Sequence, residues 1–320
     1  MEKNVKKLLD ETKIPIENVN IRMIYNDRKE YKVHKNLVEH FKYPKKLSYQ
    51  EKIFVAFQKV EGHETLLFYL EVQEHNNDSI KANQRYVNIA YIDSIQYFSP
   101  NIKNLRRSIY YEIIQTYMES AKAMGYFKAY IWISPPNASV DYVFCQHKIP
   151  YSPPTSSSLQ TFYNKMLEEA KEKKIVHNFA PIEKCKPFSN DKYRFTDIPY
   201  FPLDFWYLQV ELFSKEFKKS KQTQDFPTYL LNNLKAALRE DINTGLVIVI
   251  DLLSPKQQMQ SLNIPISDTN PTIKCDKIAD REKFVLYQQS HGYSFKTIQH
   301  AHLSTKRFCY EVKKDYKRIV

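Results

Sequence analysis

At residues 86–92 the chain reads Tyr86-Val87-Asn88-Ile89-Ala90-Tyr91-Ile92, a run rich in β-branched and aromatic side chains. Such a run is typical of a β-strand, and Asp93-Ser94, with Pro100 shortly after, ends it. From Leu105 onward, apolar residues recur at helical spacing, and Gly125 is suited to the left-handed turn that stops a helix. The sequence therefore predicts a strand followed by a helix.

A second strand is predicted directly after this helix, from Phe127 to Ile133, and Pro135-Pro136 closes it. A strand, a helix and a strand with short connections form a right-handed crossover, which makes the two strands parallel. The carboxyl ends of both strands and the start of the helix then meet at one edge of the sheet, where ligands bind in such folds. The expected fold class is α/β, with a central mixed β-sheet flanked by helices.

The start of the predicted helix carries Arg106 and Arg107, and no acidic residue follows until Glu112. Cations are unfavourable at a free helix N-terminus, because the helix dipole already makes that end positive. An anion would balance this charge, and guanidinium groups beside free backbone N–H groups suit a diphosphate. The alternative is a pair of solvated surface arginines, and the charge pattern alone does not decide between the two.

Composition favours an enzyme inside the cell. With 320 residues, 42% of them hydrophobic, the chain can bury a large core, and we expect residues 1–320 to form one catalytic domain. No apolar run is long enough to span a membrane, and the N-terminus lacks the apolar core of a signal peptide. Kinase and dehydrogenase functions are excluded because the four glycines are too widely spaced for a phosphate-binding loop: Gly62, Gly125, Gly245 and Gly292.

Several short groups of residues, some within the crossover and some after it, follow one another along the chain. Together they comprise Tyr91-Ile92-Asp93-Ser94-Ile95, Leu105-Arg106, Ile131-Trp132 with Pro135-Pro136, the run from Leu159 to Leu167, Pro199-Tyr200-Phe201 with Asp204-Phe205-Trp206, and Cys275-Asp276 with Arg281 and Phe284. In this order the sequence resembles the catalytic domain of the CREB-binding-protein family of histone acetyltransferases. The likeness runs from about Leu47 to Val312 and is strongest from Arg85 to Lys174. It implies an acetyltransferase-like core, with the strand-helix-strand unit at the acetyl-CoA site.

The resemblance also implies roles for individual residues. Trp132 would shape the channel for the acetyl group and the lysine, and Tyr163 would protonate the leaving thiolate. Arg107 stands where the family has a threonine, and Ser156-Ser157-Ser158 occupies the place of a family arginine that Lys148 is expected to replace. The residues expected to bind the cofactor are Ile92, Asp93, Ser94, Arg106, Arg107, Lys148, Ile149, Pro150 and Phe162.

The chemistry of acetyl transfer explains such a set of residues. A lysine ammonium is not a nucleophile, and an aromatic channel favours its deprotonation by desolvation. Trp132, Phe162 and Tyr200 are the candidates for the channel wall, and a phenol, protonated at working pH, suits the general acid. Ser134 stands where a thiol could lie beside the acetyl group, so direct attack is favoured over an acyl-cysteine intermediate.

Histones, or other lysine-rich proteins, are the expected substrates, which implies a nuclear location with the cytoplasm as the alternative. The residues expected to bind them are Tyr200, Asp204, Asp276, Asp280 and Glu282. Pro202 replaces an acid of the family, and the net charge of +12 opposes a basic substrate. The excess cations are expected to contact acetyl-CoA phosphates or, without sequence preference, nucleosomal DNA.

Three features narrow the predicted function further. Residues 214–227 are polar and are expected to form a short loop in place of the family's lysine-rich regulatory insertion, so that control by self-acetylation is weak or absent. Cys145-Gln146-His147 has no second ligand pair at zinc spacing, so no metal is expected. Without room for the family's bromodomain and zinc modules, targeting to chromatin is expected to come from elsewhere.

Three other functions remain open at this stage. The first is a chaperone-dependent histone acetyltransferase of similar fold. The second is an inactive paralogue that binds acyl-CoA. The third is a basic nucleic-acid-binding module, although the sequence lacks a zinc, RNP-like or recognition-helix signature.

Overall fold

The structure is a computed structural model, and it describes residues 1–11, 19–100, 102–137, 141–185, 194–219, 223–242 and 247–316. Seven strands in this part of the chain form one mixed sheet in the order β1-β2-β3-β4-β5-β7-β6. Their bounds are β1 Val19–Lys32, β2 Lys46–Val60, β3 His63–His75, β4 Tyr86–Ser94, β5 Lys128–Trp132, β6 Asn178–Pro181 and β7 Val247–Asp251. The pair β4 and β5 is parallel, and the other neighbours are antiparallel. The predicted α/β class with a mixed sheet is confirmed.

Helices cover both faces of this sheet. They are α1 Glu2–Glu11, α2 Lys35–Phe41, α3 Lys103–Met124, α4 Ser156–Glu172, α5 Phe205–Lys219, α6 Phe226–Ile242, α7 Pro255–Ser261, α8 Arg281–Ser290 and α9 Ile298–Tyr316. Side chains that alternate along the central strands separate two cores, because successive residues of a strand face opposite sides. Ala129 and Ile131 of β5 face the core of α1, α3 and α4, whereas Tyr130 faces the core of α2, α5 and α6.

The predicted crossover is confirmed with small shifts at its ends. Helix α3 ends at Gly125, which has a φ of 106° and donates its N–H to the carbonyls of Ala121 and Lys122. Strand β4 continues to Ser94, beyond the predicted end at Ile92, because Asp93 and Ser94 still pair with β3. The buried strand predicted from Leu246 to Leu252 is β7, and Leu246 itself lies outside the described residues.

The short loop predicted at residues 214–227 is wrong for most of its length. Helix α5 continues through Ser214 to Lys219, and α6 already begins at Phe226. Ser214 is buried, and the ring of Phe217 packs 5.2 Å from that of Phe226 and 5.1 Å from that of Tyr229. These apolar contacts between α5 and α6 outweigh the polar composition on which the prediction depended. Residues 220–222 lie outside the described residues.

In the part of the chain that the structure describes, no helix has both the length and the apolar character needed to cross a membrane.

Candidate active site

The parallel strands β4 and β5 separate at their carboxyl ends. They pair from Tyr86 with Lys128 as far as Ile89 with Ile131. Beyond this point, within the described residues, β4 pairs only with β3, and β5 pairs only with β7. A cavity of about 430 Å³ opens where they part, bordered by Ile89, Ala90, Ile92, Asp93 and Ser94 on one side and Ile131 to Ser134 on the other. The separation leaves backbone groups of β4 free to bond a ligand.

The start of α3 gives this cavity a cationic side. Arg106 and Arg107 both border it. Arg106 donates to the carbonyl of Gln96 at 3.0 Å, and Arg107 donates to the Asn104 side chain at 2.8 Å. Neither has a carboxylate partner among the described residues, and no side chain caps the start of α3. An anion bound here would meet two guanidinium groups and free backbone N–H groups.

Aromatic side chains form another part of the wall. Trp132, at the end of β5, and Tyr163, in the second turn of α4, border the same cavity, as does Phe162. The Trp132 ring lies edge-on to Phe205, with the centroids 5.9 Å apart, and the Phe162 ring is held edge-on by Tyr111 at 4.8 Å. These contacts fix the orientation of the Trp132 and Phe162 rings. The predicted convergence of Trp132 and Tyr163 on one cavity is therefore present.

The Tyr163 side chain is 8% exposed, and burial raises the pKa of its phenol well above the usual range. Its hydroxyl makes no hydrogen bond to any residue in the described ranges. A phenol in this state carries its proton at any physiological pH, and it has that proton free to donate.

Asp93 borders the cavity, but its carboxylate is already engaged. One oxygen accepts from the backbone N–H of Ser94 at 2.8 Å and lies 3.1 Å from the His147 ring. The other oxygen accepts from the N–H groups of Val143 and Phe144, at 3.1 and 2.9 Å. The carboxylate therefore clamps the segment from Val143 to His147 against the end of β4.

Several residues that line the larger cavity were not predicted from the sequence. Tyr110 lies one helical turn after Arg106, a spacing that could have indicated it, and burial raises its pKa to about 12. Tyr142 and Tyr151 belong to the loop after β5, where no periodic pattern points to them. Tyr142 packs against the guanidinium of Arg281, 5.6 Å from its ring centroid, and Tyr151 stacks on His147 at 4.4 Å.

The predicted covering loop lies next to the cavity without bordering it. Lys148, Ile149 and Pro150 are exposed, and the ammonium of Lys148 lies 5.4 Å from the centroid of the Tyr97 ring. The residues that follow, Tyr151 and Ser152, do form part of the wall. Direct contact of residues 148–150 with a ligand stays a prediction.

A smaller cavity of about 100 Å³ adjoins the first and shares Ile89, Ala90, Trp132, Ser134 and Tyr142 with it. Asp204, one of the predicted substrate residues, borders this second cavity. It is 4% exposed, and burial raises the pKa of its carboxyl to about 8. One of its oxygens accepts from the N–H of Tyr207 at 3.0 Å, so Asp204 also caps the start of α5.

The other predicted substrate residues lie elsewhere. Tyr200 is completely buried and borders neither cavity; its ring stacks on Tyr207 at 5.4 Å, and its carbonyl accepts from Tyr31 at 2.6 Å. The prediction that Tyr200 lies on the channel wall is wrong, because its whole ring is buried in this aromatic core. Asp276, Asp280 and Glu282 lie near the start of α8 and border neither cavity.

Asp280 is tied into the fold. It caps α8 through the N–H of Lys283 at 2.9 Å and forms an ion pair with Lys29 at 3.3 Å. A contact between these acids and a bound protein, farther from the cavities, stays a prediction.

The cysteines are not arranged for acyl transfer. Cys145 and Cys275 are buried, and burial raises the pKa of the Cys145 thiol well above the usual range. None of the four borders either of the two cavities, whereas Ser134 borders both. Within the described ranges, no three His, Cys, Asp or Glu side chains are grouped as they would be around a metal ion.

A family model described as the histone acetyltransferase domain KAT3 matches residues 5–238, well over half of the chain. The chain belongs to the KAT3 histone acetyltransferase domain family. Every residue that borders the two cavities lies within this match, from Phe68 of β3 to Asp204 at the start of α5.

Individual relatives agree with this family. Histone acetyltransferase HAC12 of Arabidopsis thaliana is 32% identical over 207 residues, which cover 60% of this chain and 12% of the relative. Protein cbp-1 of Caenorhabditis elegans is 37% identical over 169 residues, 53% of this chain and 8% of the relative. Histone acetyltransferase HAC2 of A. thaliana is 28% identical over 246 residues, 74% of this chain and 18% of the relative. The chain thus spans less than a fifth of these relatives.

Proposed function

We propose that this chain is a lysine acetyltransferase that moves an acetyl group from acetyl-CoA to lysines of histones or similar proteins. The observation that carries the proposal is the cavity that Trp132 and Tyr163 share with two arginines, neither of which has an acidic partner in the part of the chain that the structure describes. We also propose that residues 1–320 act as one catalytic unit, because one sheet connects both helical layers to the site.

The groups around the larger cavity fit acetyl-CoA. Arg106, Arg107 and the start of α3 would hold the phosphates, because guanidinium groups and free N–H groups suit a diphosphate. The unpaired edge of β4 from Ala90 to Ser94 would bond the amides of the pantetheine arm, as sheet edges bond added strands. Ile92 and Phe162 supply apolar wall for its methylene groups.

The lysine would enter from the smaller cavity and pass Trp132. An ammonium there loses hydration against Trp132 and Tyr142, which lowers its pKa and yields the neutral amine. The amine nitrogen then attacks the carbonyl carbon of the thioester, and the bond between this carbon and sulfur breaks. No cysteine borders the cavity to carry the acetyl group, and this supports direct transfer.

Tyr163 would act as the general acid. Its hydroxyl gives its proton to the departing sulfur, and the tyrosinate recovers a proton from the nitrogen that formed the new amide. The raised pKa keeps the phenol protonated before each turnover. Help of this kind typically accelerates a reaction by about 100 to 10,000-fold.

Histones are the leading substrates, and a chromatin-linked role in the nucleus follows from this proposal. The net charge of +12 would add sequence-independent contacts to nucleosomal DNA.

The test is to incubate the purified chain with labelled acetyl-CoA and core histones. Label on lysine that requires the intact chain supports the proposal. Tight binding of acetyl-CoA without transfer to any histone or protein lysine would instead indicate an inactive acyl-CoA-binding protein.

A further inference from the structure

An apolar row leads away from the smaller cavity. Leu203 borders that cavity together with Pro202 and is 52% exposed. Leu208 and Leu212 on α5 are 43% and 47% exposed. We refer to Leu203, Leu208 and Leu212 as the leucine row.

The start of α5 explains why these side chains form a row. Asp204 is the N-cap, so Leu203 precedes the cap and Leu208 is the fourth helical residue, two positions whose side chains face each other at helix starts. Leu212 lies one turn beyond Leu208 on the same helical face. The leucine row therefore extends from the cavity mouth along α5.

The charges around the smaller cavity do not suit a basic segment. Among the described residues, Asp204 is the one carboxylate on its wall, and it is buried and bonded to the start of α5. Pro202 and Leu203 add no charge, and Asp280 is occupied by Lys29. The net charge of +12 also gives the molecule as a whole no attraction for a run of cations.

We propose that the leucine row selects acceptor lysines that have an apolar side chain close by in the sequence, rather than further lysines or arginines. The flanking side chain would cover the row while the acceptor lysine passes Pro202 toward Trp132. This inference rests on the proposed function, because it requires that the smaller cavity admits the acceptor lysine. The continuity of the row with that cavity is what identifies the occupant as a substrate segment.

The experiment uses the full chain, acetyl-CoA and short peptides with a single acceptor lysine. At each of the three positions before and after that lysine, a neutral residue is replaced in turn by leucine, arginine or aspartate, and kcat/KM is measured. We expect kcat/KM of the best leucine peptide to exceed that of its arginine counterpart by about 10-fold, the low end for apolar pocket contacts, because the row is half exposed.

The variants Leu203→Asp and Leu208→Asp should remove this preference. Asp tolerates the left-handed backbone of Leu203, which has a φ of 62°. The matched control is Leu303→Asp on α9, where the leucine is 49% exposed and borders neither cavity. The control should keep the preference of the unmodified chain.

Equal kcat/KM for leucine and arginine peptides, or a preference that survives both row substitutions, would overturn this inference and leave the proposed acetyltransferase function standing. Absence of transfer to every peptide and every histone would overturn the proposed function and the inference together.

Discussion

Tyr163 is the residue on which the proposed chemistry depends most. We expect Tyr163→Phe to lower kcat by about 100-fold or more and to change KM little, because the ring stays and only the proton donor is lost. The measurement is steady-state transfer of labelled acetyl groups. Tyr310→Phe removes a hydroxyl from a tyrosine that is 66% exposed on α9, and it should keep full activity. A Tyr163→Phe enzyme with an unchanged kcat would remove the phenol from the mechanism.

Asp204 makes the stability of the fold depend on pH. Burial raises its pKa in the folded state to about 8, above the usual aspartate value of 3.8, so between these two pH values the folded protein keeps this proton while the unfolded chain releases it. Stability from this group is complete below the unfolded pKa and decreases as the pH rises toward 8.

Replacement of the Asp204 carboxyl by a neutral amide should remove this contribution to the pH dependence of stability. From pH 5 to pH 9, we expect the free energy of unfolding of Asp204→Asn to rise by about 2–4 kcal/mol relative to that of the unmodified chain. Asparagine also caps helices, and it cannot ionise. Urea unfolding of both proteins at the two pH values measures the gain. A difference between the proteins that is independent of pH would show that Asp204 is ionised in the fold.

At the scale of elements, the hydrogen bonds that Asp93 accepts from Val143 and Phe144, which we call the Asp93 clamp, hold the loop after β5 in place. Asp93→Ala should cost about 2–4 kcal/mol, because it leaves the N–H groups of Val143 and Phe144 without their charged acceptor. We also expect KM for acetyl-CoA to rise at least 10-fold as Tyr142 and Tyr151 lose their positions. Chemical unfolding and initial rates test both effects.

Asp225→Ala provides a comparison for the clamp. Asp225 also accepts a backbone N–H, from Thr228 at 3.0 Å at the start of α6, but it borders neither cavity. Its loss should cost about 1 kcal/mol, as for an ordinary helix cap, and leave KM unchanged. If Asp93→Ala behaved in the same way, the loop would not depend on the clamp.

Helix α3 should recognise the phosphates of acetyl-CoA through its first turns. Arg106→Gln is expected to weaken CoA binding by about 10-fold and to leave pantetheine binding, which lacks the nucleotide, unchanged. Calorimetric titration with both ligands measures the difference. Arg28→Gln, which breaks the surface pair of Arg28 with Asp78, should alter neither affinity. An equal loss for CoA and pantetheine would indicate a damaged fold rather than a lost phosphate contact.

The sequence predicted those elements whose pattern is local. The strand at Tyr86, the helix stop at Gly125 and the parallel return strand follow from residue type and spacing, and the structure contains all three. Helix α5 was not predicted, and its residues from Ser214 to Lys219 were assigned to a loop, because Phe217 packs on α6, a contact that composition does not reveal. Elements that depend on distant partners are therefore the ones that spacing alone could not place.

The candidate site also contains residues that the sequence could locate and residues that it could not. Arg106 lies in the first turn of α3, Trp132 at the end of β5 and Tyr163 inside α4, all in regular elements that spacing and resemblance could locate. Tyr142 and Tyr151 reach the cavity only because Asp93 and Arg281 hold their loop. Tyr200 resembled a wall residue in sequence, yet the aromatic packing around Tyr207 buries it.

For the whole molecule, the central claim is that the separation of β4 and β5 forms a single acetyl-transfer chamber between Trp132 and Tyr163. The most direct measurement is a crystal structure of the chain with CoA bound. We predict the CoA sulfur within hydrogen-bond reach of the Tyr163 hydroxyl, directly or through one water, and the diphosphate against Arg106 at the start of α3. CoA bound elsewhere on the surface, or with its sulfur remote from both rings, would contradict the account.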